Sequence, residues 1–272
     1  MTAAARPVES RVAIAGLGAI GKELARRLTA GVPGYRLTAV AARDRDRAVA
    51  TLHEVGVAVP VVTIEELEPL ADIVIECAPA ALLAAIAEPV LRAGKEVIVL
   101  SVGALLDQPG LVELAAATGG RITVPTGALL GLDAVRAAAE GHIESVRLTT
   151  RKPPRGLAGA PHLEGLSLDD LQEPVRVFSG TARGAAKGFP ANLNVAVALA
   201  LAGIGPDRTE VEIWADPAVT KNTHTIEVRS AVADFTMTIE NVPSENPKTG
   251  RITALSVISL LRKRTAPLSV GS

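Results

Sequence analysis

The stretch Val12-Ala-Ile-Ala-Gly16-Leu-Gly18-Ala-Ile-Gly21-Lys-Glu-Leu-Ala-Arg-Arg-Leu28 decides the fold of this chain. Its apolar opening reads as a short buried parallel strand, its glycines as a turn, and Lys22 to Leu28 as helical spacing. In that order of strand, turn and helix, Gly16-x-Gly18-x-x-Gly21 becomes a dinucleotide-binding fingerprint. Gly16 admits the tight turn, Gly18 lets the backbone approach a pyrophosphate, and Gly21 lets the helix pack close to the strand. The helix start, with Ala19 and Ile20, offers free N–H groups and a partial positive charge to the phosphates. The bland alternative is a tight strand–helix turn without a ligand. A redox enzyme using NAD or NADP is the leading class.

Working outward, residues 11–104 alternate strand and helix. Strands are predicted at 12–16, 36–42, 59–62, 72–76, 96–100 and 121–124, and helices at 19–30, 45–54, 64–68, 80–93 and 108–118. This alternation predicts an α/β protein whose N-terminal part is a Rossmann, doubly wound parallel sheet. Beyond residue 130 the pattern changes. A helix at 132–140 is followed by alternating segments at 145–150, 175–178, 210–214, 225–229 and 235–239. They predict a C-terminal α/β domain with a mixed, mainly antiparallel sheet that buries one face. Helices are expected at 181–188 and 191–203, with Pro190 opening the second. A last helix, 252–263, is expected to return to the first domain. The domains so read are 1–130, completed by 251–272, for the dinucleotide, and 131–250 for substrate and dimerisation. Residues 153–172, rich in Pro and Gly, read as a loop.

Apolar residues make up 48% of the chain and aromatic residues only 2%, so Ala, Val and Leu must fill the core. A net charge of −1 gives no reason to expect nucleic acid or an anionic membrane as partner. Cys77 is the single cysteine, which rules out an internal disulfide and fits a reducing cytoplasm. Residues 1–10 lack a signal pattern, and apolar runs are broken before the roughly 18 residues a membrane helix needs. No His, Cys and acid spacing resembles a metal site.

The second strand should end near an acid for the ribose hydroxyls of NAD. It ends instead in Val40-Ala-Ala-Arg43-Asp44. Arg43 suits a 2′-phosphate and Asp44 a 2′-hydroxyl, so NADP and NAD both stay open, beside the reading of two solvated side chains. Cys77-Ala78-Pro79 and Ser101-Val-Gly103 follow the fourth and fifth strands with small residues that leave room for cofactor. Cys77 reads as a packing residue rather than a nucleophile.

The second half carries the distinguishing runs. They are Pro125-Thr-Gly-Ala128-Leu-Leu-Gly-Leu-Asp-Ala134, Lys152-Pro-Pro154, Phe189-Pro-Ala-Asn192-Leu-Asn194-Val195, Asp216-Pro-Ala-Val-Thr-Lys-Asn222-Thr-His224 and Asn241-Val-Pro-Ser-Glu-Asn-Pro-Lys-Thr-Gly250. With the glycine loop, they resemble the L-aspartate dehydrogenase family from about residue 11 to the end. The resemblance implies oxidative deamination of L-aspartate with NAD or NADP. The product is iminoaspartate, which hydrolyses to oxaloacetate and ammonia or feeds NAD biosynthesis. It implies a Rossmann domain and a C-terminal α/β domain with the active site in the cleft between them. It matches the acid–base histidine to His224 and the nicotinamide contacts to Ala128 and Asn194. Arg43 departs from the acid of NAD-selective enzymes.

The residues themselves allow this chemistry. An amine must lose its proton before hydride leaves the α-carbon, and a histidine can manage that proton and the water that attacks the imine. The competing reading of His224 is a surface histidine in the turn before a strand. His53 on a helix face, His142 in a turn and His162 in the 153–172 loop are its rivals. Asn192 and Asn194 would orient a carboxamide or carboxylate, or merely satisfy a helix start. Two substrate carboxylates call for cations or helix N-termini. Lys152, on a segment stiffened by prolines, is the chosen cation, with Asn192 and Asn222 beside it. The alternatives are another oxidoreductase on this architecture, of the dihydrodipicolinate reductase or homoserine dehydrogenase kind, and a non-catalytic dinucleotide sensor. A homodimer is expected from the open face of the second sheet.

Overall fold

The computed structural model describes residues 9–168, 170–190, 193–244 and 250–271. Backbone contacts divide the chain into two units. One comprises residues up to 101, 108–125 and 254–270; the other comprises 102–107, 126–253 and 271–272.

In the first unit, β1 (Ser10–Ala15), β2 (Tyr35–Ala41), β3 (Val61–Val62), β4 (Ile73–Glu76), β5 (Glu96–Val99) and β6 (Arg121–Thr123) form one sheet in the order β3-β2-β1-β4-β5-β6. Every pairing is parallel. This is the doubly wound order, and its direction reverses between β1 and β4, where such sheets bind ligands. The connecting helices are α1 (Ala19–Gly31), α2 (Arg45–Glu54), α3 (Leu83–Arg92) and α4 (Pro109–Thr118). The central strands are buried on both faces, which is why they read as unbroken apolar runs. The predicted helix at 64–68 is instead a turn followed by a 3-10 turn at Glu68–Leu70. Pro69 has no N–H to continue a helix, and Glu66 spends its carboxylate on Thr63 N. The predicted helix at 80–93 starts as a 3-10 turn and becomes α-helical at Leu83.

The second unit holds α5 (Leu132–Ala139), β7 (Ile143–Lys152), β8 (Val175–Thr181), α6 (Ala182–Gly188), α7 (Asn194–Ala202), β9 (Glu210–Ala215), β10 (Asn222–Ser230) and β11 (Phe235–Asn241). Its sheet runs β11-β10-β7-β9-β8, with β7–β9 parallel and the other pairs antiparallel. The helix expected from Pro190 begins at Asn194, after Leu193 as its cap, and residues 191 and 192 lie outside the described set. The strand expected at 225–229 begins three residues earlier, which moves His224 from a turn into β10. The 153–172 segment is not wholly a surface loop. It makes 3-10 turns at Pro154–Gly156 and Pro161–Leu163 and puts Leu157, Ala160 and Leu163 into the core. The final helix, α8 (Ile252–Thr265), lays Ala254, Val257, Ile258 and Leu261 into the core of the first unit, with Val12, Leu24 and Ile75.

Candidate active site

Two constellations stand out, one in each unit. The first lies at the carboxyl ends of β1 and β4. Gly16 takes φ +101°, a conformation that L side chains rarely adopt, and a Cβ there would sit 2.6 Å from the Cys77 carbonyl oxygen. At Gly21 a Cβ would collide with the Gly16 carbonyl, so α1 can approach this closely only without a side chain. At Gly18, the N-cap of α1, a Cβ would meet nothing within 4 Å. The first helical hydrogen bond runs from Lys22 N to Gly18 O, so the N–H groups of Ala19, Ile20 and Gly21 are left without intrahelical partners. No acid stands in the first turn to neutralise that end. The open space at Gly18 and these donors fit a pyrophosphate.

Asp44 caps α2, its Oδ1 accepting from Arg47 N at 3.0 Å, while Arg43 is exposed at the end of the β2 segment. Sequence reasoning missed Glu76. It ends β4 with no exposed surface, and its carboxylate accepts from Ala78 N, Leu100 N, Ser101 N and Ser101 Oγ at 2.9–3.2 Å. Burial raises its pKa, and the four hydrogen bonds oppose that rise. The group therefore ties the carboxyl end of β4 to that of β5 and fixes the Cys77-Ala78 turn facing Gly16. Burial and the nearby Glu76 push the Cys77 thiol well above its ordinary range, which suits packing and not nucleophilic attack.

The second constellation lies on the covered face of the second sheet. Alternation puts Val146, Leu148, Thr150 and Lys152 of β7 on that face, with Asn222, His224, Ile226 and Val228 of β10 beside them. The register opposes Val228 to Val146, Ile226 to Leu148 and His224 to Thr150. On the other side of β10 it opposes Met237 to Ile226, Ile239 to His224 and Asn241 to Asn222. The face is thus apolar at one end and polar at the other. Its polar end gathers Thr150, Lys152, Asn222, His224 and Asn241, all buried.

His224 is 3% exposed, and its Nδ1 lies 3.0 Å from Thr150 Oγ1. The reading of a surface histidine is therefore excluded. Burial first, and then the Lys152 ammonium, lower its pKa to about 3. Lys152 is itself only 2% exposed. Gly156 of the following 3-10 turn lies against both Asn222 and Lys152.

Two asparagines fasten loops to this unit. Asn194 Oδ1 accepts from Gly103 N at 3.0 Å, and Asn241 Nδ2 donates to Ala128 O at 2.9 Å. The carbonyl partner fixes which way the Asn241 amide points. Its Oδ1 is buried and finds no hydrogen-bond partner among the described residues. Sequence reasoning quoted Asn241 only as the start of a distinguishing run and not as a site residue, because only the pairing of β11 with β10 brings it beside Asn222. Asn192 lies outside the described residues. Of the rival histidines, His162 meets Phe178 edge-on and leans on Phe189, at 5.3 and 5.4 Å between ring centres, and so completes an aromatic cluster. Among the described residues, no group of three His, Cys, Asp or Glu side chains is arranged to hold a metal, and no helix is long and apolar enough to cross a membrane.

Residues 133–264 match a family described as aspartate dehydrogenase, C-terminal, and residues 16–125 match the homoserine dehydrogenase NAD-binding domain. The chain is 62% identical over 267 residues to L-aspartate dehydrogenase 3 of Bordetella bronchiseptica, covering 97% of this chain and 98% of that one. This chain belongs to the L-aspartate dehydrogenase family. It is also 59% identical to the L-aspartate dehydrogenase of Bradyrhizobium diazoefficiens, covering 97% and 95% of the two chains. The crystal structure of aspartate dehydrogenase from Thermotoga maritima superposes with a TM-score of 0.75 at 26% identity, covering 97% of this chain and all of that one. Membership makes the chain an oxidoreductase that uses NAD or NADP.

Proposed function

We propose that this chain oxidises L-aspartate at its amine-bearing carbon with NAD or NADP, giving iminoaspartate, which hydrolyses to oxaloacetate and ammonia. Relatives named for that reaction at 59–62% identity support it. The observation that carries it is local. A buried histidine and a buried lysine share the polar end of an otherwise apolar sheet face, as an anionic substrate with a titratable amine requires.

Each residue has a proposed task. The amides of Ala19, Ile20 and Gly21 and the bare Gly16 and Gly18 receive the pyrophosphate. Arg43 and Asp44 meet the adenosine ribose or its 2′-phosphate, and Cys77 and Ala78 line the approach with backbone. Ala128 and Asn194 orient the nicotinamide carboxamide. Lys152, with Asn222 and Asn192, holds substrate carboxylate. The nicotinamide, when bound, supplies the acceptor for the hydride. His224 takes the amine proton before hydride loss and then serves the water that attacks the imine.

Aspartate-dependent cofactor reduction, followed by absorbance, tests the reading. Turnover of aspartate that is unchanged in His224→Ala would overturn it. Reduction with homoserine in place of aspartate would favour the rival oxidoreductase, and cofactor binding without any amino-acid-dependent reduction would favour a sensor. We further propose a homodimer in the cytoplasm that supplies iminoaspartate to NAD biosynthesis. The open face of the second sheet supports the dimer. There Trp214 lies under the Arg151 guanidinium at 4.9 Å and near that of Arg176 at 5.9 Å. Sedimentation at two protein concentrations checks it.

A further inference from the structure

The end of β2 bears on the choice between NAD and NADP. In a doubly wound sheet the adenosine ribose of a dinucleotide meets this strand end, where an acid accepts from a 2′-hydroxyl or a cation meets a 2′-phosphate. β2 stops at Ala41, whose carbonyl accepts from Gly16 N at 2.8 Å, so the strand end and the glycine turn are held together. The next residue, Ala42, is half-buried and brings a methyl group to the place where an acid would stand. Arg43 follows. It is exposed, and among the described residues its guanidinium has no ion pair or hydrogen bond. The acids nearby are engaged elsewhere. Asp44 caps α2, its Oδ1 accepting from Arg47 N at 3.0 Å, which holds the carboxylate over the first helical turn. Asp46 lies inside that turn, where its charge complements the positive end of the helix. Glu66, beyond β3, accepts from Thr63 N at 2.8 Å and pairs with the Arg45 guanidinium at 3.2 Å. Arg45 thus has an acid of its own, and Arg43 has none among the described residues.

We propose that this chain prefers NADP to NAD, and that Arg43 sets the preference by pairing with the 2′-phosphate. The inference rests on the dinucleotide reading of the Gly16–Gly21 loop and deepens it by naming which dinucleotide fits. Two features act in the same direction. The guanidinium of Arg43 offers planar, paired donors and a positive charge to a phosphate. Ala42 lacks the carboxylate that would repel that phosphate and would accept from a bare 2′-hydroxyl. Asp44 keeps its capping task whichever dinucleotide is bound. Because Arg43 is exposed, its attraction for the phosphate is screened by salt, whereas a neutral hydroxyl contact is not. The preference should therefore shrink as ionic strength rises.

Binding of the reduced nucleotides to the full-length protein, followed by their fluorescence, tests this without turnover. At low salt the wild type should bind NADPH more tightly than NADH by about tenfold or more, and added salt should lower that ratio. Arg43→Ala should lower it about 10- to 100-fold, the scale of one charge-assisted contact. Ala42→Asp should turn the preference toward NADH. Arg47→Ala, on α2, should leave the ratio where it was. Adenosine 2′,5′-bisphosphate, which carries the 2′-phosphate and no nicotinamide, should displace NADPH from the wild type and bind Arg43→Ala more weakly. The ratio separates recognition from damage, since a variant that merely loosens the loop weakens both nucleotides alike. A wild type with no preference, or with one for NADH, overturns the inference and leaves the dinucleotide reading standing. A ratio that survives Arg43→Ala, or that falls in Arg47→Ala instead, also overturns it. Failure of both nucleotides to bind overturns it together with the reading beneath it.

Discussion

Thr150 Oγ1 and His224 Nδ1 lie 3.0 Å apart, inside the sheet, at positions directly opposed across β7 and β10. The contact engages Nδ1, so the proton transfer proposed for His224 would fall to Nε2. Thr150→Val keeps the shape and removes the hydroxyl. It should lower kcat about 10- to 100-fold, the scale on which groups that orient an imidazole act. The KM for cofactor should stay unchanged. Thr150→Ser should recover most of the loss, and steady-state kinetics of the pair would check both.

His224 should also make the fold acid-sensitive. A base whose folded-state pKa is depressed stabilises the protein fully above its unfolded pKa and loses that contribution as pH falls. Here the window opens at about 6.5 and runs down toward about 3. Within it, stability should fall by up to about 1.4 kcal/mol per pH unit from this group. Urea midpoints measured at neutral and mildly acidic pH should converge between wild type and His224→Gln as the pH is lowered. A constant gap would contradict this.

Glu76 predicts a different kind of loss. Its two oxygens serve four donors, and a glutamine keeps only one oxygen. The Ser101 hydroxyl can turn to accept, but the N–H groups of Ala78, Leu100 and Ser101 cannot. Glu76→Gln should cost about 1–3 kcal/mol through a buried N–H left unsatisfied. It should also weaken NAD binding by disturbing the Cys77-Ala78 turn. Calorimetry and a cofactor titration read the two effects separately.

The glycines of the first loop should separate folding from binding. At Gly18 an added Cβ has free space and an ordinary φ of −74°. Gly18→Ala should therefore melt like the wild type and bind NAD at least about tenfold more weakly, the methyl taking room meant for the pyrophosphate. At Gly21 the methyl meets the Gly16 carbonyl, so Gly21→Ala should lower Tm as well as affinity. Equal melting losses in the two variants would refute the assignment.

The first sheet was legible because its buried strands are unbroken apolar runs and its turn glycines are spaced for phosphate. Individual site residues such as His224 were legible only through their resemblance to a family. The arrangement around them was not, for a physical reason. Alternation along β7 or β10 tells which residues share a face, but not which residue of one strand stands opposite which of the next. The gathering of Thr150, Lys152, Asn222, His224 and Asn241 depends on the register of three strands, of which β7 is distant in sequence from the neighbouring β10 and β11. Lys152 was singled out only for its stiff, proline-flanked segment, since nothing local marks a lysine as buried. Glu76 was hidden for the opposite reason. A lone acid closing an apolar strand reads as the point where the strand meets water, and here the water is replaced by four donors of the chain itself.

The path of the chain between the units carries a consequence for biogenesis. The backbone passes from one unit to the other at 101–102, 107–108, 125–126 and 253–254. The core beneath β1 is incomplete until α8 supplies Val257 and Leu261, which are translated after every strand of the second sheet. A nascent chain stopped at residue 250 has all six parallel strands yet exposes the apolar wall that α8 covers. Such an intermediate invites chaperone capture or aggregation rather than holding cofactor. An excised nucleotide-binding module would need α8 grafted back to stand alone, and tolerant sites for circular permutation should be sought away from residues 250–265.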